Sequence, residues 1–218
     1  MSLALMVMAA GRGTRMGALT ADRPKPLLAV AGRPLIDHAL ALAEEAGADP
    51  VVVNLHHHAA LLRAHLAGRR VRLSEEPELL ETGGGLKAAL PLLGHGPVLT
   101  LNSDAAWRGP NPLALLRDAW RPGMGALLVL IPPGRARAHG AGDFTLRPDG
   151  TLAWGGPWTY AGAQVIGTGP LAAMTGAFGM RRLWDAHGTL HGLPYPGEWC
   201  DVGTPEGIAE AERMLGHG

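Results

Sequence analysis

What most constrains the fold of this chain is a regular alternation of short apolar runs with longer amphipathic ones. "LALMVMA" (3–9) is seven apolar residues stopped by alanine and glycine, and predicts a buried strand. "PLIDHALALAEEAG" (34–47) predicts a helix: Pro34 suits the first turn, Leu35, Ile36, Ala39, Leu40 and Ala43 form one apolar face, and Gly47 stops it. The alternation continues with a strand at "PVVVNL" (50–55), a helix at "HAALLRAHLAG" (58–68), a short strand at "RVRLSE" and a glycine-rich helix entry at "GGGLKAALPLLG" (83–94). "PVLTLNSD" (97–104) is a strand ending in a carboxylate, "NPLALLRDAW" a helix and "GALLVLIPP" another strand. This order predicts an α/β fold, a Rossmann-like, mostly parallel sheet with helices on both faces. Residues 132–162, rich in Gly, Pro and Trp, interrupt the pattern. "RPDG" (147–150) is a hairpin-turn signal, so an antiparallel excursion is expected there. A last strand, loop and helix follow in "GEWCDVGTPEGIAEAERML".

A chain of 218 residues suits one domain with one sizeable core. Zero formal net charge argues against a nucleic-acid or membrane-surface protein, which would carry a basic excess. The lone cysteine, Cys200, excludes an internal disulfide framework. No apolar run approaches the ~20 residues of a membrane span. A soluble, cytoplasmic protein is expected; nothing in the sequence assigns an oligomeric state.

Against that neutral background, the loop after the first strand is basic. Between Ala10 and Pro26, Arg12, Arg15, Arg23 and Lys25 face only Asp22, a local excess of three positive charges. Gly11, Gly13 and Gly17 let backbone N–H groups approach an anion, and guanidinium forks suit phosphate oxygens. Lys25 stands between two prolines in a chain with 17 arginines and two lysines, which suggests a site needing a compact point charge. "GRGTRM" begins like a dinucleotide fingerprint, but Met16 stands where the third glycine should pack a helix, and no helix-like run follows. No P-loop pattern occurs.

"MAAGRGTRMGALTADRPKPLLAVAGRPLI", followed in order by "ETGGGLKAALPLL", "LNSD", "YAG" and "EWCDVGTPEGI", resembles the sugar-1-phosphate nucleotidyltransferases over nearly the whole chain. The likeness is to the short branch that includes N-acetylmuramate-1-phosphate uridylyltransferases. It implies the nucleotide-diphospho-sugar transferase fold, with a nucleotide-binding half at about residues 1–110 and a sugar-binding half at about 111–218. The implied partners are a nucleoside triphosphate, UTP favoured, and a sugar-1-phosphate. The implied cofactor is Mg²⁺, held by Asp104 and Asp201. By the same resemblance Arg15 holds the β- and γ-phosphates, Lys25 stands near the α-phosphate, and Ala10, Gly11 and Gly13 supply backbone contacts. Thr82, Gly83 and Gly84 are expected beside the nucleotide, and Glu76 is expected to accept an N–H from the base. An ionised carboxylate only accepts, so it matches uracil, thymine or guanine better than cytosine. Asn102, Asp143, Tyr160 and Gly162 are expected on the sugar side.

Two departures stand out. "NSD" replaces the usual "NGD" but keeps its carboxylate, and "GPWTYAG" lacks the lysine that many relatives place before this strand. The second departure leaves the cation for the sugar phosphate unassigned. "NLHHHAALLRAH" suggests that His56 or His57 lines the cleft. The alternatives are a mannose- or heptose-phosphate guanylyltransferase, a phosphocholine cytidylyltransferase, and a silent nucleotide-binding regulator. Joint retention of Arg15, Lys25, Asp104 and Asp201 argues against the last.

Overall fold

The computed structural model describes residues 2–216. β1 (Leu5–Met8) leads through 3-10 turns at Thr14–Thr20 and Lys25–Leu27 to β2 (Ala29–Val30), β3 (Arg33–Pro34) and α1 (Leu35–Glu45). Next come β4 (Val51–Leu55), α2 (Ala59–Leu66), β5 (Arg72–Glu75), α3 (Glu81–Leu93), β6 (Val98–Asn102), β7 (Ala105–Arg108) and α4 (Pro112–Ala119). After β8 (Ala126–Ile131) the chain makes β9 (Ala136–Arg137), β10 (Phe144–Leu146), β11 (Leu152–Trp154) and β12 (Thr159–Ile166). It ends with α5 (Met180–His187), β13 (Leu190–Pro194), β14 (Glu198–Asp201) and α6 (Pro205–Leu215).

The central sheet has seven strands in the order β13-β8-β12-β6-β1-β4-β5. Only β12 runs antiparallel to its neighbours, β6 and β8; the other pairs are parallel. The core lies on both faces. One cluster gathers Leu5, Val7, Ile36, Val53 and Leu101, and the other Met6, Val52, Leu86, Leu128 and Leu183. Consecutive strand residues thus bury on opposite faces, which is why the strands read as unbroken apolar runs.

The expected excursion is the hairpin β10–β11. Gly150 takes φ 82° at its turn and donates to the Arg147 carbonyl at 2.9 Å, and Asp149 accepts from the Thr151 amide. A small second sheet, β7-β14-β9, packs beside the main one. Helix α3 begins at Glu81, two residues before the glycines expected to open it. Inside the helix, Gly83 and Gly84 admit the close approach of segment 176–179, where a Cβ on Gly83 would lie 2.5 Å from the Phe178 ring, and Gly85 packs against Glu76 and Asn54.

Candidate active site

The site forms where β1, β4 and β6, parallel to one another, present their carboxyl ends, the usual ligand edge of such sheets. The basic loop leaves β1 there. Gly13 takes φ 65°, and a Cβ on it would meet the Cβ of Lys25 at 2.9 Å. Only glycine therefore lets the loop fold down on the Lys25 stem. Beyond Gly13 come 3-10 turns rather than an α-helix, broken at Gly17 (φ 57°).

Lys25 is buried, 7% exposed, and its Nζ donates to Asp104 Oδ2 at 2.7 Å. Asp104 follows β6 in a tight turn held by Ser103, whose amide and hydroxyl both donate to the Met8 carbonyl. The serine of "NSD" thereby ties this turn to the end of β1. Asp201 reaches the same place through the antiparallel pairing of β7 with β14. It sits opposite Ala105, and the Val202 amide donates to the Asp104 carbonyl at 2.9 Å. Arg15 Nη1 lies 3.9 Å from Asp201 Oδ2. Each carboxylate thus faces one cation from the basic loop.

A cleft of about 230 Å³ opens over these groups, lined by Arg15, Asp104 and Asp201 together with Asn102, Asp143, Tyr160 and Gly162. A register shift in β12 between Tyr160 and Gln164 carries Gly162 (φ 79°) flat against Asn102, where a Cβ would lie 2.8 Å from the amide nitrogen. Asp143 accepts from the Tyr160 amide at 2.8 Å. The Tyr160 ring turns away and packs edge-on against Trp184, and burial pushes its hydroxyl above its ordinary pKa.

Of the cleft residues absent from the sequence expectations, two carry ring N–H groups, Trp199 and His139. Trp199 lies beneath the cleft, its indole N–H donating to the Ala161 carbonyl. His139 places Nδ1 3.5 Å from Asp201 Oδ2, and that contact raises the imidazole pKa. A single histidine in a glycine-rich loop carries no pattern in sequence.

The other expectations are met differently. Glu76 is corrected: it is 2% exposed, with Oε1 accepting from Asn54 Nδ2 at 2.7 Å and Oε2 from the Leu80 amide at 3.0 Å. Its carboxylate therefore faces protein donors rather than a base. Gly83 and Gly84 make their close approach to the chain itself, since both amides donate to the Phe178 carbonyl. The Thr82 hydroxyl accepts from the Met180 amide. Ala10 is buried, whereas Gly11 is exposed with nothing within 4 Å of its Cβ position. His56 and His57 lie outside the cleft lining, against the carbonyls of Glu76 and Thr20.

The donor set suits a hard divalent cation. Two carboxylates face one cleft, and the Oδ1 of each has no hydrogen-bond partner among the described residues. No group of three or more His, Cys, Asp or Glu able to cage a metal occurs among those residues. Mg²⁺ is typically bound in this way, by one or two carboxylates plus substrate phosphates and water. No helix among the described residues is long and apolar enough to cross a membrane.

A family model for the MobA-like NTP transferase domain matches residues 5–190. The chain is 38% identical to an N-acetylmuramate alpha-1-phosphate uridylyltransferase of Caulobacter vibrioides, over 96% of both chains. It is 34% identical to the protein of the same name from Neisseria meningitidis, over 97% of both. The fold superposes on a UDP-glucose pyrophosphorylase solved with UDP-glucose, with a TM-score of 0.81 at 15% identity, covering 99% of this chain and 98% of that one. Fold, motif order and full-length similarity agree: the chain belongs to the nucleotidyltransferase family of the MobA-like NTP transferase domain.

Proposed function

We propose that this protein is an N-acetylmuramate α-1-phosphate uridylyltransferase, moving UMP from UTP to the sugar phosphate and releasing pyrophosphate. The observation that carries the proposal is the convergence of two loop cations on two carboxylates, Lys25 on Asp104 and Arg15 toward Asp201, in a chain 38% identical to such a uridylyltransferase. A phosphate oxygen of the sugar attacks the α-phosphorus, and the bond from that phosphorus to the bridging oxygen breaks as the new one forms. This chemistry is governed by positioning and charge neutralisation.

Lys25, buried and held by Asp104, presents a fixed point charge to the α-phosphate and the incoming oxygen. Arg15, its side chain 65% exposed, can follow the β- and γ-phosphates onto the departing pyrophosphate. Ala10, Gly11 and Gly13 bring backbone groups to the triphosphate. Asp104 and Asp201 would hold Mg²⁺, which when bound neutralises charge on the phosphoryl oxygens. Asn102, Asp143, Gly162 and the backbone of Tyr160 face the acceptor. In this scheme residues 1–110 serve the nucleotide and 111–218 the sugar, and the reaction belongs in the cytoplasm.

The test is pyrophosphate release in Mg²⁺, crossing UTP, GTP, CTP and ATP with the 1-phosphates of MurNAc, GlcNAc, glucose and mannose. Turnover is expected with UTP and MurNAc-1-phosphate, and loss of turnover in Asp104→Asn. Activity confined to GTP and mannose-1-phosphate would overturn the substrate assignment. Undiminished activity of Asp104→Asn would overturn the role of the carboxylate.

A further inference from the structure

Neither lysine of the chain lines the cleft. Lys25 is engaged by Asp104, and Lys87 donates to the Met174 carbonyl. His139 is the residue that the fold delivers there instead. β9 pairs in parallel with β14, matching Ala136 to Trp199 and Arg137 to Cys200. Ala138 then takes φ 53°, a conformation costly for a side chain bearing a Cβ. After this bend the imidazole lies edge-on to the Trp199 ring, with centroids 5.6 Å apart. Its Nδ1 faces Asp201, and its Nε2 has no partner among the described residues. The side chain remains 26% exposed and lines the same cleft as Asn102 and Asp143. A ring set edge-on against Trp199, with one nitrogen facing Asp201 and the other open, is pre-positioned for a ligand.

We propose that His139 is the acceptor-recognition residue of this enzyme, its Nε2 accepting a hydrogen bond from a hydroxyl of the sugar-1-phosphate while Asp201 and Trp199 hold the ring. The proposal rests on the reading of the cleft as a sugar-1-phosphate site. A role exerted only through Asp201 would be a different one, in which His139 positions a metal ligand and never touches substrate. The two roles predict different measurements.

The experiment compares His139→Ala and His139→Gln with the parent. Three quantities are measured for each: KM for the acceptor, KM for the nucleotide, and the Mg²⁺ concentration giving half-maximal rate. Direct binding of MurNAc-1-phosphate and glucose-1-phosphate is followed separately by the fluorescence of Trp199, with Trp199→Phe to assign the signal. His139→Ala is expected to raise the acceptor KM about three- to tenfold, in line with losing one hydrogen bond. The nucleotide KM and the Mg²⁺ requirement should change less than about twofold. His139→Gln, which keeps a side-chain acceptor, should recover most of the acceptor affinity.

A raised Mg²⁺ requirement with an unchanged acceptor KM would overturn the proposal in favour of metal-ligand positioning. Unchanged values throughout would overturn it outright. If the parent turns over another sugar-1-phosphate but not MurNAc-1-phosphate, the substrate assignment fails, and His139 is still judged by the KM and binding of that sugar. If the parent binds no sugar-1-phosphate, the acceptor reading of the cleft and the role of His139 fail together.

Discussion

Lysine is scarce in this chain, two against 17 arginines, and both lysines hold defined positions. Lys87 ties α3 to the Met174 carbonyl, while Lys25 places its ammonium on Asp104 beneath the glycine loop. In the proposed reaction Lys25 carries the larger functional consequence, because a buried point charge set against the transferring phosphoryl group would need no reorganisation. Lys25→Met should lower kcat by about 10²–10³-fold, the usual effect of removing one such donor. Its melting temperature should stay within a few degrees of the parent, since Asp104 is about one-third exposed and remains hydrated. Steady-state kinetics and a thermal melt together check this; a large loss of stability would make Lys25 a structural residue instead. At this scale the sequence made Lys25 and Asp104 legible through their flanking prolines and strand end. It left Glu76 misassigned, because an acidic loop residue looks the same whether its oxygens face solvent or buried N–H groups.

Between elements, a polar line runs from the first loop to α3. The Ala9 amide donates to Asn54 Oδ1 at 2.6 Å, Asn54 donates to one oxygen of Glu76, and the Leu80 amide donates to the other. Every donor points toward Glu76, so both of its oxygens must accept. Glu76→Gln puts an amide NH₂ against Asn54 or against Leu80. Flipping Asn54 only moves the conflict to Ala9. One unsatisfied buried donor costs about 1–3 kcal/mol, which for a chain of this size corresponds to roughly 2–12 °C in Tm. Differential scanning calorimetry of Glu76→Gln should show that drop, with the preference among nucleoside triphosphates unchanged. A stable variant with altered base preference would return Glu76 to the base edge. The glycines of α3 follow the same logic: their number signalled close approach, but only packing revealed that the approaching groups are segment 176–179 at Gly83 and Gly84 and Glu76 at Gly85.

Across the whole molecule, the described surface carries several carboxylates whose pKa values lie below their ordinary ones. A side-chain hydrogen bond from Arg23 lowers Asp22, one from Arg117 lowers Asp118, and bonds from Arg137 and Arg213 lower Glu210. Such groups add stability above their unfolded values, 3.8 for Asp and 4.5 for Glu, and lose it as pH falls through the lower folded values. Asp22 and Asp118 are exposed and Glu210 is partly so, so each contribution is small and screened by salt. Tm should therefore be nearly flat from pH 8 to about 5 and decline below about pH 4, more clearly at low ionic strength. Circular-dichroism melts across that range check it, and a rising Tm on acidification would contradict it.

By itself the sequence determined the layered α/β architecture, because unbroken apolar runs alternating with amphipathic ones can be buried only as a helix-covered, mostly parallel sheet. It determined the place of the basic loop for the same reason, since such sheets hold ligands beyond their strand ends. Tertiary structure alone decided what each loop residue meets. Pairing of β14 with β7 sets Asp201 beside Asp104, pairing with β9 brings His139 over Trp199, and the register shift in β12 lays Gly162 on Asn102. The physical reason is range. Periodicity and turn chemistry act between near neighbours in the chain, whereas a site is assembled by strand pairings between segments far apart in it.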